Sequence, residues 1–250
     1  MLDELKRLIT DNRLGAYERS LAITDDWGMI GAYEWNKSLS GAFWPLLQAV
    51  EISLRNTIND ALINHKSTPK WFLSTFKTWH QKPLIDKKDK FIKIYSKNKI
   101  NSNKVLFNGF IVSELNFGSW VLLLNSNYRD DNLLDTTALW PQLTPVAFPH
   151  AVGEEKDKLF NRYDRIRLFR NRVGHHEPLW SKSDNAQSIA DVVRVLSDMH
   201  DHLIDSIRII SPERADHFRT SKQGEHLRSL LTEAKAQEFI DFSRERGQAA

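Results

Sequence analysis

The chain has 250 residues, 41% hydrophobic and 27% charged, a balance that suits a folded soluble protein and excludes disorder. Its 35 Lys and Arg against 32 Asp and Glu leave a net charge of +3, and the pI near 9.0 is only a slight lean toward an acidic partner such as RNA. There is no cysteine, which excludes disulfides, thiolate zinc sites and a cysteine nucleophile.

Apolar residues recur at three and four along most of the chain, and hairpin signals are nearly absent, so the expected fold is all-α. In chain order the spacing predicts helices over roughly 2–10, 14–22, 26–36, 40–64, 69–79, 83–96, 108–125, 154–174, 184–210 and 223–243. The N-terminal MLDELKRLITDNR alternates charge with apolar residues and has no signal-peptide core, so it reads as a retained first helix of a cytoplasmic protein. GFIVSELNFGSWVLLLN, from Gly109, has the length of a membrane span but carries Glu114 and Asn116, and is expected as a buried helix. The connectors KNKINSNK, NSNYRDDN and TPVAFPHAVGEE do not read as interdomain linkers, so a single domain over 1–250 is expected. Its last forty residues, 211–250, form a charged helical extension that frays at RERGQAA.

Within the helix expected over 40–64, Phe43, Leu47, Val50, Leu54, Ile58 and Ala61 form an apolar arc. Glu51 projects into that arc and Arg55 lies at its margin. Glu51 is therefore a candidate partner for Arg55 on its own helix, or for Arg170 across the bundle, in a supporting role. Trp44, Phe117 and Trp120 belong to apolar helices and are assigned to the core. The lysines from Lys82 to Lys104 match a solvated face better than a track for a phosphate backbone.

The stretch RLFRNRVGHHEPLW, Arg167–Trp180, concentrates the chemistry. Projected at about 100° per residue, Leu159, Tyr163, Ile166, Phe169 and Val173 fall within an arc of about 120°, and Arg170 falls inside it. A guanidinium there needs a carboxylate partner or a polar cavity that receives an anion. On a continuing helix His175 would lie about 140° round from Arg170. Gly174 reads as the helix terminator and Pro178 forbids a simple continuation, so unwinding after Gly174 would bring His175 back toward Arg170, with Asn171 on the flank. An imidazole, whose ordinary pKa is close to neutral, can move a proton at the 2′-hydroxyl or the leaving 5′-oxygen of RNA. An arginine can hold the phosphate by two hydrogen bonds and offset developing charge. Acid and base are both required, so either His176 or a second copy of the motif from a two-fold related subunit completes the set.

The spacing RNRVGH from Arg170 to His175, with a polar residue after the arginine and a doubled histidine, resembles the motif of the Abi-like family within the HEPN superfamily of helical nucleases. Three earlier stretches are similar to blocks of the same family in the same order: YEWNKSLSGAF from Tyr33, AVEISLRNTI from Ala49 and SELNFGSWVLLL from Ser113. The resemblance spans roughly residues 15–210. It implies a HEPN-like helical bundle with additional helices, and a ribonuclease that needs no metal or other cofactor, often a homodimer whose two motifs meet. It also implies a role in phage defence or as a toxin. A toxin made alone would be lethal, which makes an RNA or protein antitoxin a candidate partner. Carried over by position, it makes Arg170 and His175 catalytic, supported by Asn171 and His176.

Two rival readings stand beside this one. The motif can serve a non-catalytic module that binds RNA or protein, with Arg170 in a structural ion pair and a histidine capping the helix. Alternatively His175, His176 and Glu177 can be read as a metal site, although adjacent residues seldom converge on one ion. The expected products of the favoured reading carry 2′,3′-cyclic phosphate and 5′-hydroxyl ends.

Overall fold

A computed structural model of the chain describes residues 1–75, 86, 89–90, 93, 109, 112–128, 139–153, 156–180 and 184–249. Among the described residues there are helices and no strand, as the spacing predicts: α1 (Leu2–Ile9), α2 (Asp11–Leu21), α3 (Asp26–Lys66), α4 (Phe72–Thr75), α5 (Phe117–Leu122), a 3-10 turn (Ser126–Tyr128), α6 (Thr144–Ala147), α7 (Lys156–Gly174), α8 (Ile189–Arg208), α9 (Pro212–Thr220), α10 (Lys222–Leu230) and α11 (Glu233–Gln248). The lysine run and the helix expected over 83–96 lie almost wholly outside the described residues.

The break expected between 36 and 40 does not occur, and α3 runs unbroken for 41 residues. Within this stretch Ser40 turns its hydroxyl back onto the Asn36 carbonyl at 2.8 Å, a bond compatible with helix. Pro45 also lies inside α3, where its missing N–H leaves the Gly41 carbonyl without the donor four residues on. Elsewhere capping residues set boundaries that periodicity misplaces. Asn116 splits the apolar stretch after Gly109, its Oδ1 accepting from the Ser119 amide at 3.0 Å. Ser188 and Asp191 exchange hydrogen bonds at the start of α8, which therefore begins after residue 184. The single helix expected over 223–243 falls within two helices, α10 and α11, each opened by a cap: Ser221 accepts from Gly224 N and Thr232 from Lys235 N, both at 3.1 Å.

The chain folds into two compact units, one of Met1–Gln48, Leu168–Asp205 and Arg214–Ala250, the other of Ala49–Arg167 and Ser206–Glu213. In the second, Trp71, Trp120, Trp140, Phe148 and Tyr163 are buried, and the Trp71 ring lies 6.1 Å from that of Trp120, tilted by 56°. Their polar atoms are satisfied inside: the Tyr163 hydroxyl donates to Ser206 O at 2.7 Å and the Trp140 indole to Leu123 O at 2.6 Å. Phe117 and Trp120 are core, as expected.

In the first unit Trp35, Leu39 and Phe43 of α3 are buried with Phe169 of α7, the two phenyl rings meeting edge to face at 5.0 Å. The C-terminal helices are part of this core. The Trp35 indole donates to Leu230 O at 3.0 Å, and α11 lies so close to α3 that a Cβ on Gly31 would sit 2.5 Å from Phe239 O. Asp25 caps α3 through the Gly28 amide at 2.7 Å and binds Arg244 of α11 at 2.6 Å. The chain expected to fray at RERGQAA is helical to Gln248, with Gly247 packed on Trp27.

Candidate functional site

The apolar arc of α7 is buried throughout, from Leu159 through Tyr163, Ile166 and Phe169 to Val173, and it lifts Arg170 to a half-buried position. α7 ends at Gly174, as its sequence suggests, but the glycine is not the residue at which the chain reverses. The His175 amide still bonds to Asn171 O at 2.8 Å, so the helical geometry continues to His175. The reversal comes one residue later. His176 takes the left-handed conformation, φ 57°, with its amide on Val173 O at 3.2 Å and the Glu177 amide on Arg172 O at 2.9 Å. These two bonds form a Schellman motif with histidine where glycine is usual, a conformation a non-glycine residue holds only when its surroundings impose it.

The surroundings do impose it. Arg13 of α2 donates to the His176 carbonyl at 2.6 Å. Asn36 of α3, only 2% exposed, donates to Glu177 O at 3.2 Å and accepts from Leu179 N at 3.0 Å. Arg172 donates to Trp180 O at 3.2 Å and lies 3.6 Å from the Glu177 carboxylate. Tyr17 packs edge-on against the Trp180 ring at 5.7 Å, and burial pushes its phenol above the ordinary value.

Late unwinding separates the two histidines. Both are exposed, but it is His176 that lines a cavity of about 540 Å³ with Asn36, Lys37, Ser40, Gly41, Trp44, Val173 and Gly174. Neither His175 nor Arg170 is among those residues. Asn171 is half-buried on the flank.

Trp44, assigned to the core by its place on an apolar helix, is instead 38% exposed, because it stands at the cavity edge beside fully buried Phe43. The Arg170 guanidinium rests over its ring, 5.5 Å from the centroid. Arg170 has no ion pair among the described residues, and its Nε is buried without a hydrogen-bond partner. A cation fixed on an aromatic face with no carboxylate beside it remains open to an anion.

Glu51 and Arg55 lie in the second unit, both half-buried, and the expected ion pair between them is absent among the described residues; Arg55 Nε is buried without a partner. No group of three His, Asp or Glu side chains among the described residues is placed to hold a metal ion, and no described helix is long and apolar enough to cross a membrane. Sequence reasoning missed Asn36 and Arg13. The one available signal was an asparagine on an otherwise buried helical face, since a buried carboxamide must find partners.

A family model described as Abi-like protein matches residues 12–181, more than half of the chain. It covers Arg13, Asn36, Trp44, Arg170 and both histidines, and leaves α8 through α11 outside. No curated protein and no solved structure matches the chain.

Proposed function

Because the chain belongs to the Abi-like protein family, which implies a function of the abortive-infection type, we propose that it is a cytoplasmic, metal-independent endoribonuclease of the HEPN kind, acting in phage defence or as a toxin. The observation that carries this reading is Arg170, a guanidinium without a carboxylate partner among the described residues, stacked on Trp44 at a cavity whose wall includes His176.

In this reading Arg170 holds the scissile phosphate by two hydrogen bonds and offsets charge on the phosphorane. A histidine removes the 2′-hydroxyl proton as the 2′-oxygen attacks phosphorus. The P–O5′ bond breaks, and a second histidine gives a proton to the leaving 5′-oxygen. The products are a 2′,3′-cyclic phosphate and a 5′-hydroxyl, with no change in oxidation state. His175 supplies proton transfer from its exposed place on the turn. A two-fold dimer that brings two such turns together supplies the second imidazole without further sequence. Asn171 and His176 support the site from the same turn. Such a chain would harm a cell that made it alone, so an RNA or protein antitoxin belongs to the proposal.

The test is incubation of the purified protein with total RNA in EDTA. Cleavage that persists and leaves 2′,3′-cyclic phosphate ends is expected, and Arg170→Ala and His175→Ala should abolish it while the helical circular dichroism is kept. Arg170→Lys should fail as well, since an ammonium lacks the planar fork. Loss of cutting in EDTA would favour a metal-dependent hydrolase, and RNA binding without cutting would favour a non-catalytic module.

A further inference from the structure

We infer that the cavity beside Trp44 seats one unpaired nucleobase of the RNA, stacked against the indole while Arg170 takes the adjoining phosphate. The inference rests on the ribonuclease reading and adds to it a place, and a chemical class, for the part of the substrate that does not react. Four independent features of the first unit carry it.

Trp44 is the first. Trp35, Trp71, Trp120 and Trp140 each send the indole N–H to an acceptor inside the protein. Trp44 has no such acceptor among the described residues, and it exposes more than a third of its surface within a helix whose neighbouring Phe43 and Leu46 are fully buried. An indole placed so offers both a stacking face and a donor.

The second feature is charge. Arg170 lies over Trp44 beside the cavity, and none of the lining residues is a carboxylate, while the ammonium of Lys37 at the wall is already paired with Glu34 at 2.9 Å. A neutral flat ring attached to an anion complements such a wall; a cationic or uncharged ligand leaves the arginine unmet.

Third, the space is large enough and is not taken up by packing. Gly41 and Gly174 both line the cavity. A Cβ on Gly41 would meet nothing within 4 Å, and one on Gly174 would meet only Arg170 Nη1, at an ordinary 3.8 Å. Neither glycine is required by close approach of backbones, and glycine is the poorest helix former after proline. What the two positions supply is the open volume, about 540 Å³, within the range of pockets for small ligands.

Fourth, a polar group sits at the wall. The His176 ring makes no hydrogen bond among the described residues. It can meet the edge of a base. Entry requires the base to be unpaired, so single-stranded or looped RNA is the class of substrate.

The test uses the full chain carrying His175→Ala, so that RNA is not cut, and measures anisotropy of a labelled single-stranded RNA decamer, the same decamer with abasic sites, and its duplex. The decamer should bind more tightly than the abasic strand or the duplex. Trp44→Ala should weaken the decamer roughly tenfold to a hundredfold, the loss of one stacked base, and leave the abasic strand unchanged. Trp44→Phe should restore most of the affinity. Gly41→Ala should raise the melting temperature while weakening the decamer, a pairing that a structural role for Gly41 does not give. If the decamer binds and Trp44→Ala and Gly41→Ala bind it as well as their parent, the base seat is overturned and the ribonuclease reading stands. If no RNA binds to the parent, both fall together.

Discussion

The side chain of Asn36 holds the backbone of Leu179, 143 positions away, accepting from its amide at 3.0 Å while donating to the neighbouring Glu177 carbonyl at 3.2 Å. One buried carboxamide thus ties α3 to the turn that carries both histidines. Asn36→Ala would leave a donor and an acceptor unpaired near buried Leu179, and should lower stability by about 2–4 kcal/mol in urea unfolding. Asn36→Asp keeps the acceptor but loses the donor, and should not rescue. An unchanged unfolding midpoint for Asn36→Ala would show that the tie contributes nothing.

His176 sits at φ 57°, where glycine is favoured. His176→Gly should therefore raise stability, by about 1 kcal/mol, and His176→Ala should not, because alanine keeps the Cβ that makes the left-handed region costly. Thermal melts of the two variants side by side decide the matter: equal melting temperatures would mean that the turn stores no strain at this residue.

The dimer can be tested by mixing. Wild-type chains diluted with an excess of inactive His175→Ala chains should lose activity per wild-type chain, because most would sit in mixed dimers with a single motif histidine from the pair. Constant activity per wild-type chain, after subunit exchange is verified, would exclude the composite site. His176, already at the cavity wall, would then take the second proton-transfer role.

Glu51 makes no ion pair with Arg55 among the described residues, and it is only half-buried. Glu51→Ala should accordingly change stability by less than about 1 kcal/mol, the range of a surface substitution and well short of the loss expected when a buried charge is stranded. A drop of about 3 kcal/mol in chemical unfolding would reveal a charge partner.

Asp25 and Arg244 join the first turn of α3 to α11 at 2.6 Å. The Arg244 guanidinium, followed by the Gly28 amide, holds the Asp25 carboxyl below its ordinary value. A group depressed in the folded state stabilises above its unfolded pKa and loses that contribution as pH falls through the folded value, so the effect lies on the acid side of about pH 4. Both side chains are more than a third exposed, which limits the pair to less than about 1 kcal/mol. The melting temperature of Arg244→Ala should lie below wild type at pH 6 and approach it at pH 3. An equal gap at both values would assign the loss to packing of the arginine stem.

The helical class and the buried faces of α3 and α7 were legible in the order of residues alone. A repeat of 3.6 is a local property, and every member of the two apolar arcs, from Phe43 to Ala61 and from Leu159 to Val173, is buried as the projection requires. The same projection put Arg170 inside an apolar arc and two histidines just beyond it. Tertiary structure decided the rest. Trp44 and Phe43 are adjacent and both apolar, yet only the cavity makes one a surface and leaves the other core. The helix ends at Gly174, as its intrinsic freedom suggests, but the left-handed reversal falls at His176 because Arg13 and Asn36, 163 and 141 positions away, grip the carbonyls of His176 and Glu177. Likewise the last helices read as a charged tail until Gly31 and Gly247 are seen to admit them against α3 and Trp27. Where a boundary depends on a hydrogen bond to a distant partner, no local pattern carries it, since the bond exists only after the chain has brought the two ends together.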